Sequence, residues 1–283
     1  MVSIPNTTLV AIDCQCPPLA ARALALSLGQ CSYQHAKLLT DTTTLPGLDE
    51  RVTLVPIAKI TSAREYSRFM VKDLLRFVDT DFVQIVQWDG YVINAKAWRP
   101  EFFNYDYIGA RWWFRESPRN VGNGGFSLRS RRLLEALQDP EIETEGPEDD
   151  AICLEHRDLL EQRHGIKIAP AHVADAYAFE GTRPSRAPFG FHRMFNFPYL
   201  YGDSELSALA DAIPDQLFCS EVILTFVRIL LSLNRPGEAA RYAARAARYP
   251  RLPSNVRAEL ERLVAAEEKR ARRARKAAGK GSS

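Results

Sequence analysis

Four short stretches carry the residues whose types and spacing could do chemistry: Gln87-Trp88-Asp89-Gly90, Gly122-Asn123-Gly124-Gly125, Glu148-Asp149-Asp150 and Phe189-Gly190-Phe191-His192. Asp89 follows an apolar run of buried-strand type, which would deliver its carboxylate to the ligand edge of a sheet. A carboxylate there can hold a divalent cation against a diphosphate and neutralise a leaving phosphate. The same Asp-Gly pair is also an ordinary turn, because glycine permits positive φ. The glycine run lacks the spacing of both common nucleotide fingerprints, so it is no phosphate cradle of those kinds. It is either a floor on which a ligand ring lies, with Asn123 as hydrogen-bonding partner, or a bulge feeding a strand. Glu148, Asp149 and Asp150 open a helix, where carboxylates favour the macrodipole. One of them could equally be the base that takes a proton from an attacking hydroxyl. His192 stands in an aromatic loop as a metal or phosphate contact or as a hydrogen-bonded core histidine, whereas His156 and His164 read as surface residues. Trp88, Trp98, Tyr107, Trp112 and Trp113 are stacking platforms or core.

Those residues need elements to hold them. Residues 8–12 form a buried strand pattern ending at Asp13, and Pro17 and Pro18 pre-set a first helix through Leu28. Residues 33–39 give a second strand ending at Thr40-Asp41, and 52–57 a third. A helix capped by Ser62 follows, with Tyr66, Phe69, Met70, Leu74, Leu75 and Phe77 on one face. Residues 81–87 give the next strand. This alternation predicts an α/β fold with a mixed, mostly parallel sheet flanked by helices. Such sheets bind ligands at the carboxyl ends of their strands, which marks Asp13, Asp41 and the segment from Gln87 to Asp89. Beyond Trp98 the pattern is irregular and aromatic. Residues 122–128 are expected as a strand, and Ser130 as the cap of a helix holding Leu133, Leu134 and Leu137. Residues 148–164 are expected as a helix ended by Gly165, and 166–169 and 173–179 as late strands.

The bulk properties exclude several classes. The chain has 283 residues, 46% of them hydrophobic and 25% charged, enough for a sizeable core and unlike a disordered chain. Its net charge of +2 conceals a basic segment, with Lys or Arg at 269, 270, 272, 273, 275, 276 and 280. The remainder is slightly acidic, so no specific nucleic-acid partner is expected. The segment could touch anionic lipid as a peripheral contact, or be a solvated helix end. No run approaches the roughly 20 apolar residues of a membrane span, and residues 1–9 lack the pattern of a secretory signal. The five cysteines, at 14, 16, 31, 153 and 219, are odd in number and scattered, so reduced thiols and a cytoplasmic location are expected. Cys14-Gln15-Cys16 reads as two buried thiols. From Pro214 the chain is helical over 216–233, 238–248 and 255–277. The alanine-rich pair looks like one tetratricopeptide-type hairpin, too few for an array and expected as a helical cap that could bind a protein partner. The expected division is 1–203, a helical extension 204–268 and a disordered basic tail 269–283.

The motifs QWDG, YDYIGARWW, VGNGGFSLRSR, PEDD and PFGFH, in this order, resemble those of a bacterial and fungal family of uncharacterised glycosyltransferase-like proteins. The likeness covers roughly the first 195 residues. It implies a GT-A nucleotide-diphospho-sugar transferase fold, a nucleotide-sugar donor, UDP-linked by expectation, and a glycan or other hydroxyl acceptor. By resemblance, Asp89 takes the place of the last acid of the DxD metal motif, for Mn²⁺ or Mg²⁺; His192 is a candidate second ligand from its place in the aromatic loop alone. Gly124 and Gly125 match the sugar-floor glycines, and Glu148-Asp149 the acidic pair whose aspartate is the base. Asp13 and Asp41 would lie near the nucleoside. Gln87 stands where the first acid of DxD would be. The C-terminal helices lie outside the likeness. A non-catalytic nucleotide- or glycan-binding module and a retaining transferase are the alternatives.

Overall fold

The computed structural model describes residues 1–181, 186–218 and 222–279, and of residue 268 and residues 271–279 the backbone alone. The expectations for Cys219 and Lys280 lie outside the described residues. The chain divides into two compact units, Met1–His192 and Arg193–Ser283.

The first unit is built on strands β1 (Val2–Ile12), β2 (Cys31–Thr40), β3 (Val52–Pro56), β4 (Phe82–Ile85), β5 (Tyr107–Ile108) and β6 (Ser127–Ser130), in the order β3-β2-β1-β4-β6-β5. β3, β2, β1 and β4 run parallel, and β6 is antiparallel to both β4 and β5. The structure thus has the mixed, mostly parallel sheet that the alternation predicts. Helix α1 (Pro17–Leu28) buries Leu19, Ala20, Ala23, Leu24 and Leu28, with both prolines in its first turn. Helix α2 (Ala63–Arg68) starts at Ser62, whose side chain accepts the Glu65 amide at 3.1 Å, and then widens into a π turn over Phe69–Asp73. Met70 and Val71 of that turn, with Leu74 just after it, pack with Val10, Val83, Ile85, Leu133 and Leu137 in one apolar core.

The chain leaves β1 in one direction for β2 and β3 and returns to its other side as β4. The carboxyl ends of β1 and β4 therefore flank a topological switch point, where open α/β sheets leave a crevice.

Helix α3 (Arg131–Ala136) is capped by Ser130, as expected. Helix α4 (Glu148–Asp150) passes into a π turn over Ala151–Glu155 and then α5 (Arg157–His164), ended by Gly165 at φ 64. Three expectations change. Residues 122–126 are loop, and the strand begins only at Ser127. Residues 166–169 contribute only the isolated bridge of Tyr107 with Ile168. Most of 173–179 is helix α6 (Ala171–Tyr177), in which three alanines outweigh the single β-branched Val173. Two residues of strand remain there, β7 (Ala178–Phe179), paired parallel with β8 (Gly190–Phe191).

The second unit is helical: α7 (Phe197–Leu200), α8 (Asp203–Ala212), α9 (Val222–Ser232), α10 (Pro236–Ala247) and α11 (Ser254–Gly279). Phe218, Phe226 and Tyr242 form its aromatic centre. α11 continues through positions 269–279, which the sequence suggested as a tail. No helix of the described residues is long and apolar enough to cross a membrane.

Candidate functional site

At the switch point β1 delivers Asp13, whose carboxylate accepts the backbone amides of Gln15 and Cys16, each at 2.7 Å. Burial pushes the Asp13 carboxyl above its ordinary pKa despite those bonds, and the charges of Asp89 and Asp41 push it further. Three carboxylates thus crowd one edge, and Lys59 pairs with Asp41 at 3.5 Å. Like charges gathered at a sheet edge favour a cation or a protonated neighbour.

Beyond β4, Gln87-Trp88-Asp89-Gly90 is a tight turn closed by Gln87–Gly90 backbone bonds of 2.9 and 3.0 Å. The Gln87 amide bridges two groups: it donates to Tyr66 Oη at 2.9 Å, and its oxygen faces His192 Nε2 at 3.1 Å. His192 Nε2 also lies 3.7 Å from Asp89 Oδ1, while Nδ1 lies 3.7 Å from Glu180 Oε1. Glu180 Oε2 accepts Asn123 Nδ2 at 2.5 Å. Asn123 adopts φ 65, and its backbone amide donates to Asp149 Oδ2 at 2.8 Å. A polar path, hydrogen-bonded at every step but the 3.7 Å approach of His192 to Glu180, therefore runs from Tyr66 to Asp149 through groups far apart in sequence.

The glycines are required by this path. A Cβ on Gly124 would lie 1.9 Å from Glu148 Oε1, and one on Gly125 would lie 2.1 Å from His192 Nε2. The floor expected under a ligand ring is covered, on the side where Cβ atoms would project, by the protein's own Glu148 and His192. Beneath it Arg129 is wholly buried. Its Nη2 contacts Glu148 Oε1 at 3.0 Å, its Nε donates to Ser127 Oγ at 3.0 Å, and its guanidinium lies over the Tyr107 ring at 5.4 Å. Burial drives the Glu148 carboxyl above its usual range against the pull of Arg129.

The residue at the α4 N-cap position, Pro147, supplies no side-chain hydrogen bond, and the first two carboxylates of the helix turn to residues 122–129 instead. The three carboxylates thereby have different surroundings. Glu148 is the counter-charge of a buried guanidinium. Asp149 accepts the Asn123 backbone amide through Oδ2. Asp150 stands apart, half-buried, its carboxyl raised by burial and by the charge of Asp149.

Of the residues marked by sequence, Gln87, Asp89, Asn123, Gly124, Gly125, Glu148, Asp149 and His192 come together, with Asp13 adjoining through its field. Asp41 and Asp150 lie at the margins. His156 and His164 serve locally, meeting Glu143 O at 2.7 Å and Asp139 Oδ2 at 2.9 Å. Sequence reasoning missed Tyr66, Arg129 and Glu180. Glu180 ends a strand as Asp13 does, and Arg129 is a charge within a buried strand; both were signals of the kind used elsewhere.

A family model matches residues 50–192, just over half of the chain. The chain belongs to the DUF5672 family. That family is described as proteins of unknown function, and no curated protein matches the chain. The DUF5672 segment contains the whole path from Tyr66 to Asp149 and ends at His192, whereas Asp13 and Asp41 precede it. Among the described residues, no group of three or more His, Cys, Asp or Glu side chains is arranged to hold a metal ion. Asp89 and His192 form at most a pair.

Proposed function

We propose that this chain is a glycosyltransferase, moving a sugar from a nucleotide-diphosphate donor, UDP-linked in our reading, to an acceptor hydroxyl with inversion. The observation that carries this reading is the joining of Asp89, Asn123, Glu180, His192 and Asp149 into one polar path beside the β1/β4 switch point. Such a crevice suits a nucleotide, and Asp13 and Asp41 stand on its nucleoside side. The acceptor oxygen attacks the anomeric carbon as the bond from that carbon to the diphosphate breaks, and the electron pair leaves with the diphosphate. Asp149 Oδ1 takes the acceptor's proton. Asn123 fixes the other oxygen, and Glu180 fixes Asn123.

The residues fit a cation that arrives with the diphosphate. Asp89 Oδ1 and His192 Nε2, 3.7 Å apart, can supply two ligands, and crowding of Asp13 by Asp89 and Asp41 favours positive charge there. Mn²⁺ or Mg²⁺ held by Asp89, with His192 if its Nε2 turns from Gln87, would neutralise charge on the leaving diphosphate.

Calorimetric titration with UDP and with GDP, each with and without Mn²⁺, tests the donor site. Metal-dependent UDP binding is expected, and absence of binding to either nucleotide would remove the reading. Asp149→Asn keeps an oxygen for the Asn123 amide and should lower transfer by about 10²–10⁴-fold with nucleotide binding retained. Turnover near that of the unmodified chain would exclude Asp149 as base. A non-catalytic nucleotide-binding module is the second reading. It is favoured by Gln87, which stands in the place of an acid with both ends of its amide engaged. Measurable hydrolysis of the donor would count against it.

A further inference from the structure

Beside the polar path lies a cleft of about 640 Å³, lined by Arg111, Trp113, Arg115, Glu116, Asn120 and Arg186, among others, and by Glu180, which belongs to the path as well. Its size falls within the range of ligand sites, about 300–1,000 Å³. One wall is a hairpin-like excursion closed by the Arg111–Val121 bridge and by the Trp112 amide bonded to Asn120 O at 2.8 Å. The excursion is anchored. Arg111 pairs with Asp175 at 3.0 Å, Arg119 pairs with Asp158, and the buried Trp112 ring occupies the space a Cβ on Gly122 would need.

What this anchoring presents is apolar. Trp113 is 61% exposed and Phe114 65% exposed, and among the described residues only Met1 and Leu233 are other large exposed hydrophobics. The Trp113 ring rests against Gly181, at φ 70, where a Cβ would come within 2.0 Å of it. Gly181 follows Glu180, so the exposed indole sits one residue from the group that orients Asn123 and, through it, Asp149. Exposed aromatic surface on an anchored support does not stabilise a fold; it marks a binding surface.

The lining also selects the kind of ligand. Among the described residues, guanidiniums (Arg111, Arg115, Arg186) and carboxylates (Glu116, Asp175, Glu180) are interleaved, so no sign of charge prevails among them. A polyanion gains little there. A neutral polyhydroxyl ligand gains much, because each hydroxyl can donate to a carboxylate and accept from a guanidinium. An aromatic face beside such groups suits the apolar C–H face of a pyranose ring.

The geometry points to this cleft as the acceptor subsite, taking the end of a neutral oligosaccharide that stacks on Trp113 and directs one hydroxyl past Glu180 to Asp149. This rests on the transferase reading, and the test separates the two. The full chain is applied to an array of immobilised oligosaccharides and glycoproteins with a sugar-free surface as blank, and nucleotide binding is measured on the same preparations. Free-glycan and glycoprotein spots distinguish the two sources of sugar.

Binding to oligosaccharide spots is expected, weakened about tenfold by Trp113→Ala with nucleotide affinity unchanged, which corresponds to the loss of one stacking contact. Arg186→Ala, at an exposed position where surface substitutions usually change stability by no more than about 0.5 kcal/mol, should weaken it as well. Sugar binding without nucleotide binding would leave the cleft standing and remove the transferase reading. Nucleotide binding with no oligosaccharide above the blank, or glycan binding unaltered in both variants, would overturn the acceptor subsite.

Discussion

The two units of the chain bury different things. In Met1–His192 the buried residues include Asp89, Asp106, Asn123, Arg129, Glu148, Glu180 and His192, whereas in Arg193–Ser283 Asn196 is the only buried polar residue among those described. The helical unit keeps its charges at the margin, where Arg235, Arg245 and Arg257 bond to backbone carbonyls around an apolar centre. Burying a charge costs several kcal/mol and is seldom the cheapest way to hold a fold. The first unit does so repeatedly, and each such group must be held by a partner, whereas the helical unit is held by apolar packing.

The strongest way to break this contrast is Arg129→Met. It leaves the Glu148 carboxylate buried without its partner and should cost about 3–5 kcal/mol in chemical denaturation. The double variant Arg129→Met/Glu148→Gln removes the orphaned charge and should recover much of that loss. A small cost for the single variant would mean that water reaches the pair, and the distinction between the units would weaken.

Asp106 tests the same contrast through pH. Burial opposes its charge, yet bonds from Arg132, Ser130 and the Lys167 amide together hold its carboxyl below the ordinary range. A depressed folded value means stability that is present above the unfolded pKa of about 3.9 and lost as pH falls through the folded value. Arg132 is half exposed and adds little after screening. The Ser130 hydroxyl at 2.6 Å and the Lys167 amide at 2.8 Å supply most of it. Asp106→Asn should cost about 2 kcal/mol at neutral pH, and the deficit should shrink as the unmodified chain is acidified. A deficit that is the same at all pH values would assign the loss to packing. The second unit gives the comparison value. Arg245, bonded to Ile213 O at 3.0 Å and Asp215 at 2.9 Å, should cost only about 1 kcal/mol as Arg245→Ala.

The sheet was legible because its signals are local. Apolar runs followed by Asp13, Asp41 and Asp89 marked the parallel strands and their carboxyl ends, and Ser62, Ser130 and Gly165 marked the helix ends. The turn of chain around the glycines was not legible. Residues 122–126 look like the start of a strand until it is known that Glu148 and His192 press on Gly124 and Gly125, and those side chains come from distant segments. For the same reason the roles of Glu148 and Asp149 stayed open. Both carboxylates suit a helix start, and only the position of Arg129 and of the Asn123 amide separates the counter-ion of a guanidinium from the acceptor of a loop amide. Trp112 and Trp113 adjoin in sequence and both suit core or platform. Their burial, 5% against 61% exposed, follows from which ring meets Gly122 and which meets Gly181.

The smallest effect carries the opposite sign and sharpens the comparison most. Asp13 is the one carboxylate of the edge whose folded pKa is raised by burial and by both neighbouring aspartates. A raised value in an acid means the folded state binds more protons, so this group takes stability away as pH rises from the ordinary Asp range through the folded value. Asn at this position can still accept the Gln15 and Cys16 amides through its oxygen. Asp13→Asn should therefore stabilise the chain at neutral pH by about 0.5 kcal/mol and leave it unchanged below about pH 3.9. The same substitution relieves the crowding that favours a cation, so Mn²⁺ should raise the melting temperature less in the variant than in the unmodified chain. Equal metal stabilisation in both would place the cation's attraction at Asp89 alone, and destabilisation at neutral pH would show that the Asp13 charge is compensated where the field of Asp41 and Asp89 says it is not.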